Sequence, residues 1–428
     1  MAFRPTGCRL QRLSTSQLAE AREYAASIPQ MPLERRTTMI LRPSRVRTRI
    51  LEHLLNPLSA KPVSTLGSGI HWLFHVDPPD TGSWSLLPSG SPRRVSMSLS
   101  HYGLGVLPSA FTDRVWAGGK LTWSLGPRRR RREFVQQFRI TEGVDELSTK
   151  DLGGERPMFK LHRRFSYAIN CRGYRPLLVE ERIHAFMPEV QGVSRRVRPV
   201  ENLPVSHASA RFLPDSIALF KYSAASQNPH RIHYDYKFAR SLGFEDVVVH
   251  GPLTATLLLH FLNAKKPVDL HVHSFDYRAL NSLYVDRPLT LHVSFLDPPE
   301  DTPFVFDPPA AEHDADVELP YLEVDHVDRA VSEKEEHWHN EFHSKRTPGG
   351  PAQPLAGPTA YKVGRIAELW SQDVNGVVGM RASALLVYAP PQRLDGFPLP
   401  PLEHRQRDAR LKGDLPNRMS NVTRADRW

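Results

Sequence analysis

Between Gly251 and Asn263 the chain carries Leu253, Leu257, Leu258, Phe261 and Leu262 with almost no polar face between them. A helix that is apolar all round has to be buried on every side. Runs that alternate in the manner of strands follow it, at His271 to Asp276, Leu289 to Phe295 and Ile366 to Trp370. The last of these is expected to pair with Val377 to Tyr388 across a turn containing Asn375 and Gly376. The implied shape is a central helix wrapped by an antiparallel sheet.

The remainder of the chain is organised around that block. Leu18, Ala21, Tyr24 and Ala25, then Ile50, Leu51, Leu54 and Leu55, recur at helical spacing and predict short accessory helices, a helical region over 17–68. Short β-type runs such as Lys120 to Trp123, Phe134 to Ile140 and Phe165 to Ile169 predict a first sheet unit over 69–200. A second unit spans 201–390. Inside it, 297–358 is rich in Pro, acidic residues and His, and is far longer than a hairpin loop of about 2 to 5 residues, so it reads as an insertion. The polar stretch 391–428 has few apolar anchors and is expected to form a tail.

Charge and cysteine content narrow the function classes. Subtracting 46 acidic from 56 basic residues leaves +10, which favours anionic partners. Arg128 to Arg132 concentrates that charge, but no aromatic residues interleave with it and nucleic-acid recognition is not expected. Two cysteines, Cys8 and Cys171, cannot build a disulfide framework or a four-cysteine zinc site. His313, His326, His337, His339 and His343 follow no metal-site spacing, and no metal or other cofactor is expected. No stretch reaches the roughly 20 apolar residues of a membrane span. Residues 1–16 lack acidic side chains and mix Arg4, Arg9 and Arg12 with Leu10, Leu13 and hydroxyl residues, the composition of a mitochondrial transit segment.

The chemistry is concentrated just ahead of the apolar helix. Tyr222 to Asp235 carries Asn228, His230 and His233, and Val247 to Thr254 carries His250 and Gly251. Polar side chains so close to a wholly buried helix need partners or a ligand. Three imidazoles between positions 230 and 250 can move protons near neutral pH, and the unpaired N–H groups at a helix start can hold a carbonyl oxygen as it gains charge.

This segment resembles the MaoC-like hydratases and dehydratases of the hot-dog fold, whose signature runs Tyr, Ser-Gly-Asp-x-Asn-Pro-x-His-x-Asp, Gly-Phe and His-Gly-x-x-Thr. It is most similar to their double hot-dog branch, the mitochondrial 3-hydroxyacyl-thioester dehydratases and mesaconyl-CoA hydratases, in which the loop takes the Asn-x-His-x-x-His-Tyr-Asp form found here at 228–235. Trp116-Ala117-Gly118-Gly119, Asp276 to Tyr284, Ala367 to Trp370 and Gly379 to Ala382 match further strands, so the likeness covers about 70–296 and 362–388. It implies an α+β double hot-dog fold, antiparallel sheets wrapped around central helices, with the second half catalytic.

The resemblance also implies an (R)-specific 3-hydroxyacyl-thioester dehydratase, or 2-enoyl-thioester hydratase, of mitochondrial fatty acid synthesis. Its substrate is an acyl-CoA or a thioester of acyl carrier protein, and the chain acts as a monomer or homodimer. Counting back from His233 places Asn228 where simpler members carry a catalytic Asp. An amide cannot act as a base, so His233 is expected to transfer the proton and Asn228 to orient water or the hydroxyl. His250, Gly251, His230 and Arg278 are expected to bind substrate. His250 alternatively braces the helix, and Arg278 alternatively belongs to a salt bridge. A mesaconyl-CoA-type hydratase, a specialised-metabolite dehydratase and, from another class, a non-catalytic acyl-thioester-binding protein are the competing readings.

Overall fold

The computed structural model describes residues 13–31, 37–41, 45–58, 69–74, 104–125, 138–154, 156–169, 177–188, 197–298, 304–306 and 360–388. The expectations for 1–12, the Arg128 to Arg132 run, the histidines of the insertion and the 391–428 tail lie outside these residues.

The chain opens with α1 (Thr15–Ser27), β1 (Thr37–Leu41), α2 (Arg45–Leu55) and the single turn α3 (His71–Phe74). The expected helical region is therefore corrected at 37–41. The run Thr37-Thr38-Met39-Ile40-Leu41 has β-branched residues at 37, 38 and 40, and it pairs antiparallel with β3 (Phe138–Lys150). Strands β2 (Asp113–Trp123), β4 (Met158–Ile169) and β5 (Leu178–Met187) complete the first half. The second half holds β6 (Ala208–Phe212), α4 (Ser216–Ser226), α5 (Tyr236–Ser241), α6 (Gly251–Lys265), β7 (Leu270–Ala279), β8 (Leu289–Leu296), β9 (Phe304–Phe306), β10 (Ala360–Asp373) and β11 (Val378–Tyr388).

All strands join one sheet in the order β1-β3-β4-β5-β2-β7-β11-β10-β8-β6, with β9 paired to β10. Each half contributes one side of the sheet, and the halves meet edge to edge where β2 pairs antiparallel with β7, Gly118 opposite Arg278 and Thr122 opposite Ser274. This is the α+β double hot-dog architecture. Helix α6 packs on β7, β8, β10 and β11, and every residue from Leu253 to Leu262 is buried. Among the described residues the first half holds the four-residue α3 and the second the fifteen-residue α6. Helices α2 and α3 pack on α4, and one continuous core joins Leu51, Trp72 and Leu121 to Leu257, Phe275 and Met380 across the seam.

Glycines make the seam close enough to pair. A Cβ on Gly118 would lie 2.5 Å from the Tyr277 carbonyl oxygen, and one on Gly119 would lie 2.2 Å from the Glu181 carbonyl oxygen. The β2–β5 register slips between Trp116 and Gly118, a bulge that re-aims Trp116 relative to the strand. The Trp116-Ala117-Gly118-Gly119 sequence is thus a device for bringing two sheet edges together beside the start of α6.

Candidate active site

Helix α4 ends at Gln227, which takes a left-handed conformation (φ 51°) and turns the chain back sharply. The next residues close the turn: Asn228 N–H donates to the Ser223 carbonyl (2.9 Å), and the Asn228 side-chain oxygen accepts from His230 N–H (3.1 Å). The His230 ring caps the short helical turn Arg231–His233 by accepting from Ile232 N–H (3.3 Å). Asp235 caps α5 through Phe238 N–H (3.0 Å) and pairs with Arg231. Tyr234 lies outward and donates to the Pro229 carbonyl (3.0 Å). Most of the polar signature therefore builds the loop.

His233 is the side chain the loop delivers inward. It is buried, at 8 % exposure. Val248 holds it twice over: Val248 N–H donates to the Ile232 carbonyl (2.8 Å), and the Val248 carbonyl lies 2.7 Å from His233 Nδ1. A carbonyl only accepts, so Nδ1 carries the hydrogen and Nε2 presents its lone pair. The His250 ring stacks on His233 with centroids 3.7 Å apart, and His250 Nε2 lies 2.8 Å from the Ser223 hydroxyl. His250 Nδ1 is buried without a hydrogen-bond partner among the described residues.

Burial sets the charge state of all three imidazoles. Desolvation pulls His233 down to about 3, with His230 adding to the effect and the Val248 carbonyl opposing it. His230 falls to about 4 through burial and Arg114. His250 lies well below the ordinary value, through burial and then His233 and His230. All three rings are therefore neutral at physiological pH.

Gly251 opens α6 at the edge of this cluster. Its predecessor His250 makes no side-chain cap and Pro252 has no N–H to offer, so the Gly251 and Leu253 amides are the first donors of the helix. A Cβ at position 251 would sit 2.7 Å from Cε3 of Trp116, so the first half of the chain presses an indole against the start of α6.

His233, Asn228, His230, Gly251 and Trp116 line one cavity of about 1480 Å³ that Arg278 also reaches. Arg278 sits on β7 with its side chain exposed, opposite Arg381 on β11. Arg156 and Arg198 line the same cavity, and burial, then Arg156 and Arg278, pull the Arg198 guanidinium below its ordinary value. Asn281 fastens the backbone of Arg198 by two hydrogen bonds (2.7 and 3.0 Å). His250 does not line the cavity, but supports His233 from behind. Ser223, Trp116, Arg156 and Arg198 had no site role in the sequence reading. Ser223 stands five residues before Asn228, and a helical reading of 216–226 would have aimed it at His250. Nothing local marks the others.

Residues 69–285 match the family described as hydroxyacyl-thioester dehydratase type 2. The chain is similar to mesaconyl-C(4)-CoA hydratase of Chloroflexus aurantiacus, 28% identical over 55% of this chain and 78% of that protein. It is also similar to the mitochondrial hydroxyacyl-thioester dehydratase type 2 of Schizosaccharomyces pombe, 32% identical over 19% of this chain and 28% of that protein. Among solved structures it is similar to a MaoC-like dehydratase from Phytophthora capsici, with a TM-score of 0.45, 12% identity, and coverage of 86% of this chain and 98% of the other.

Proposed function

The chain belongs to the hydroxyacyl-thioester dehydratase type 2 family, as a hydro-lyase acting on acyl thioesters, and from that premise we propose that it adds water reversibly across a 2-enoyl thioester with His233 as the proton-transfer group. The observation that carries this is the His233 Nδ1 to Val248 carbonyl bond of 2.7 Å, which leaves Nε2 as the acceptor nitrogen of a neutral ring that lines the cavity.

In the hydration direction, His233 Nε2 takes a proton from water as the water oxygen bonds to C3. The C2=C3 electrons move onto the thioester carbonyl, whose oxygen the Gly251 amide receives. The imidazolium then gives its proton to C2, the enolate returns to a thioester, and one water has been added. An imidazole whose burial disfavours the charged form returns its proton readily. Asn228, its oxygen committed to His230, has the amide NH₂ left to orient the water or the 3-hydroxyl. His230 borders the reacting carbons, and His250 braces His233. Arg278, with Arg156 and Arg198, provides a positive field for phosphates of coenzyme A or of a carrier-protein arm. The product is assigned the (R) configuration.

A mitochondrial location is supported by the acid-free, arginine-bearing N-terminus and by the mitochondrial S. pombe relative. Two metabolic settings fit the chemistry: elongating acyl thioesters of mitochondrial fatty acid synthesis, supported by that relative, and a short dicarboxylic acyl-CoA, supported by the Chloroflexus relative. They differ in what the far end of the acyl group meets. The test of the reaction is loss of enoyl-thioester absorbance with 2-butenoyl-CoA: His233→Ala abolishes it while circular dichroism is unchanged, and full activity in that variant removes His233 from the mechanism.

A further inference from the structure

The turn Arg231–His233 fixes the hydrogens of two imidazoles as well as their places. His230 stands at its N-cap, where His230 Nδ1 accepts from Ile232 N–H (3.3 Å). A backbone N–H only donates, so Nδ1 is the bare nitrogen of the neutral ring and the hydrogen is on Nε2. In His233 the order is reversed. Its Nδ1 carries the hydrogen toward the Val248 carbonyl (2.7 Å), and its Nε2 is bare. Two rings on one short turn hold opposite tautomers, one with a donor at Nε2 and one with an acceptor.

Both rings line the cavity that Gly251 and Trp116 border, and their centroids lie 6.0 Å apart. Neither Nε2 has a hydrogen-bond partner among the described residues. Two hydrogen bonds of about 2.9 Å that meet at one oxygen span up to about 5.8 Å, so rings at this separation are within reach of a shared oxygen atom. Burial, and then Arg114 on β2, pull the His230 ring down to about 4, so at physiological pH its Nε2–H is a neutral donor and not an acid. Capping alone does not call for an imidazole. Ser, Asp and Asn supply the same acceptor, and none of them extends an N–H as far as His230 Nε2.

Resting on the hydratase reading above, we propose that His230 is a second catalytic residue, whose Nε2–H donates to the same oxygen that His233 Nε2 deprotonates. The opposite tautomers grip one water, or one 3-hydroxyl, from two sides. In hydration the water oxygen accepts from His230, passes one proton to His233 Nε2 and bonds to C3, and His230 keeps its hydrogen throughout. As its proton leaves, the oxygen gains a lone pair, so His230 and the Asn228 NH₂ both find an acceptor at the moment charge develops. A donor that strengthens there acts on the transition state more than on bound substrate. In dehydration the 3-hydroxyl oxygen accepts the same bond while its bond to C3 breaks, and the proton that His233 took from C2 goes to it.

The test uses the full chain and two variants, each checked for folding by circular dichroism. His230→Asn keeps an acceptor for Ile232 N–H and removes the Nε2 donor. His230→Gln carries an N–H about as far out as Nε2 but gives up the cap. With 2-butenoyl-CoA, kcat is expected to fall about 100-fold in His230→Asn, with KM within three-fold, and to recover at least ten-fold in His230→Gln. A kcat within three-fold of the native chain in His230→Asn, or equal losses in the two folded variants, overturns the proposal; if His233→Ala is then still inactive, the hydratase reading stands. Nitrogen-15 NMR of the histidine rings at pH 7 reads the tautomers directly: Nε2–H in His230 and Nδ1–H in His233 are expected, and the same tautomer in both overturns the proposal. A native chain without turnover overturns the hydratase reading, and calorimetry then decides this one. Binding of 3-hydroxybutyryl-CoA at least ten-fold tighter than butyryl-CoA, with the preference lost in His230→Asn, keeps the paired grip on the oxygen, and equal affinities in the native chain overturn it.

Discussion

The imidazoles of His233 and His250 lie stacked, 3.7 Å between centroids and 18° from parallel, so a proton on one raises the cost of a proton on the other. The pair shares burial, and the same packing that holds the rings in contact holds them neutral. On the function proposed here, His250 acts on the reaction through His233 without lining the cavity. That reading makes it a positioning residue, with the Ser223 hydroxyl 2.8 Å from its Nε2.

The pH dependence follows from these depressed values. In the unfolded chain the three histidines titrate near 6.5; in the folded chain His233 titrates near 3 and His230 near 4. Between those limits the unfolded state binds more protons, so stability is fully present above about pH 6.5 and declines as pH falls toward 3 to 4. The expected slope is about 1.4 kcal/mol per pH unit for each such histidine. Urea unfolding at pH 7, 6 and 5 measures it, and a flat profile contradicts the neutral cluster. Because His233 stays neutral, kcat/KM for 2-butenoyl-CoA is expected to hold between pH 7.5 and 5.5 rather than halve near 6.5.

Ser223→Ala removes the hydroxyl 2.8 Å from His250 Nε2 and leaves that nitrogen unpaired in a buried site. The expected destabilisation is about 1 to 3 kcal/mol. If Ser223 positions the stacked pair, kcat falls about ten-fold with little change in KM, and Ser223→Thr restores most of it. Equal losses in the Ala and Thr variants would indicate packing alone.

Gly251→Ala places a methyl 2.7 Å from the Trp116 ring, so either the indole or the start of α6 has to move. Displacing the amide assigned to the thioester carbonyl is expected to lower kcat about 100-fold. Combining it with Trp116→Ala relieves the contact and is expected to recover part of that loss. Absence of any recovery places the damage in the helix backbone instead.

Arg278→Ala is expected to raise KM for 2-butenoyl-CoA about five- to ten-fold and leave KM for the matching pantetheine thioester, which lacks phosphates, unchanged. A similar rise for both thioesters would take Arg278 out of phosphate recognition. The salt-bridge alternative predicts instead a loss of stability with both KM values intact.

The reactive loop was legible because its residues act over short spans. Asn228, His230 and Asp235 hydrogen-bond within three residues of themselves, and such local constraints leave a recognisable spacing. The two roles assigned to His250 were not separable from spacing alone, since bracing and binding both require a ring at the helix start. Its partner Ser223, 27 positions away, favours bracing. The strand at 37–41 was hidden inside a helical region because its partner, β3, lies about a hundred residues downstream, and pairing of that range has no local signature.

By itself the sequence determined the buried rod Leu253 to Leu262 and the loop that places His233 at its start, because apolar periodicity and short-range capping act within a few residues of chain. Only the tertiary structure decided what faces that loop. The edge-to-edge joining of β2 to β7 sets Trp116 against Gly251, and the pairing of β3, β4 and β5 gathers Glu142, Arg163, Glu180 and Arg182 onto one buried face. Charges separated by tens of residues become neighbours only once strands register. Their energetics, whether solvated ornaments or a desolvated wall, depend on burial that no local stretch of sequence encodes.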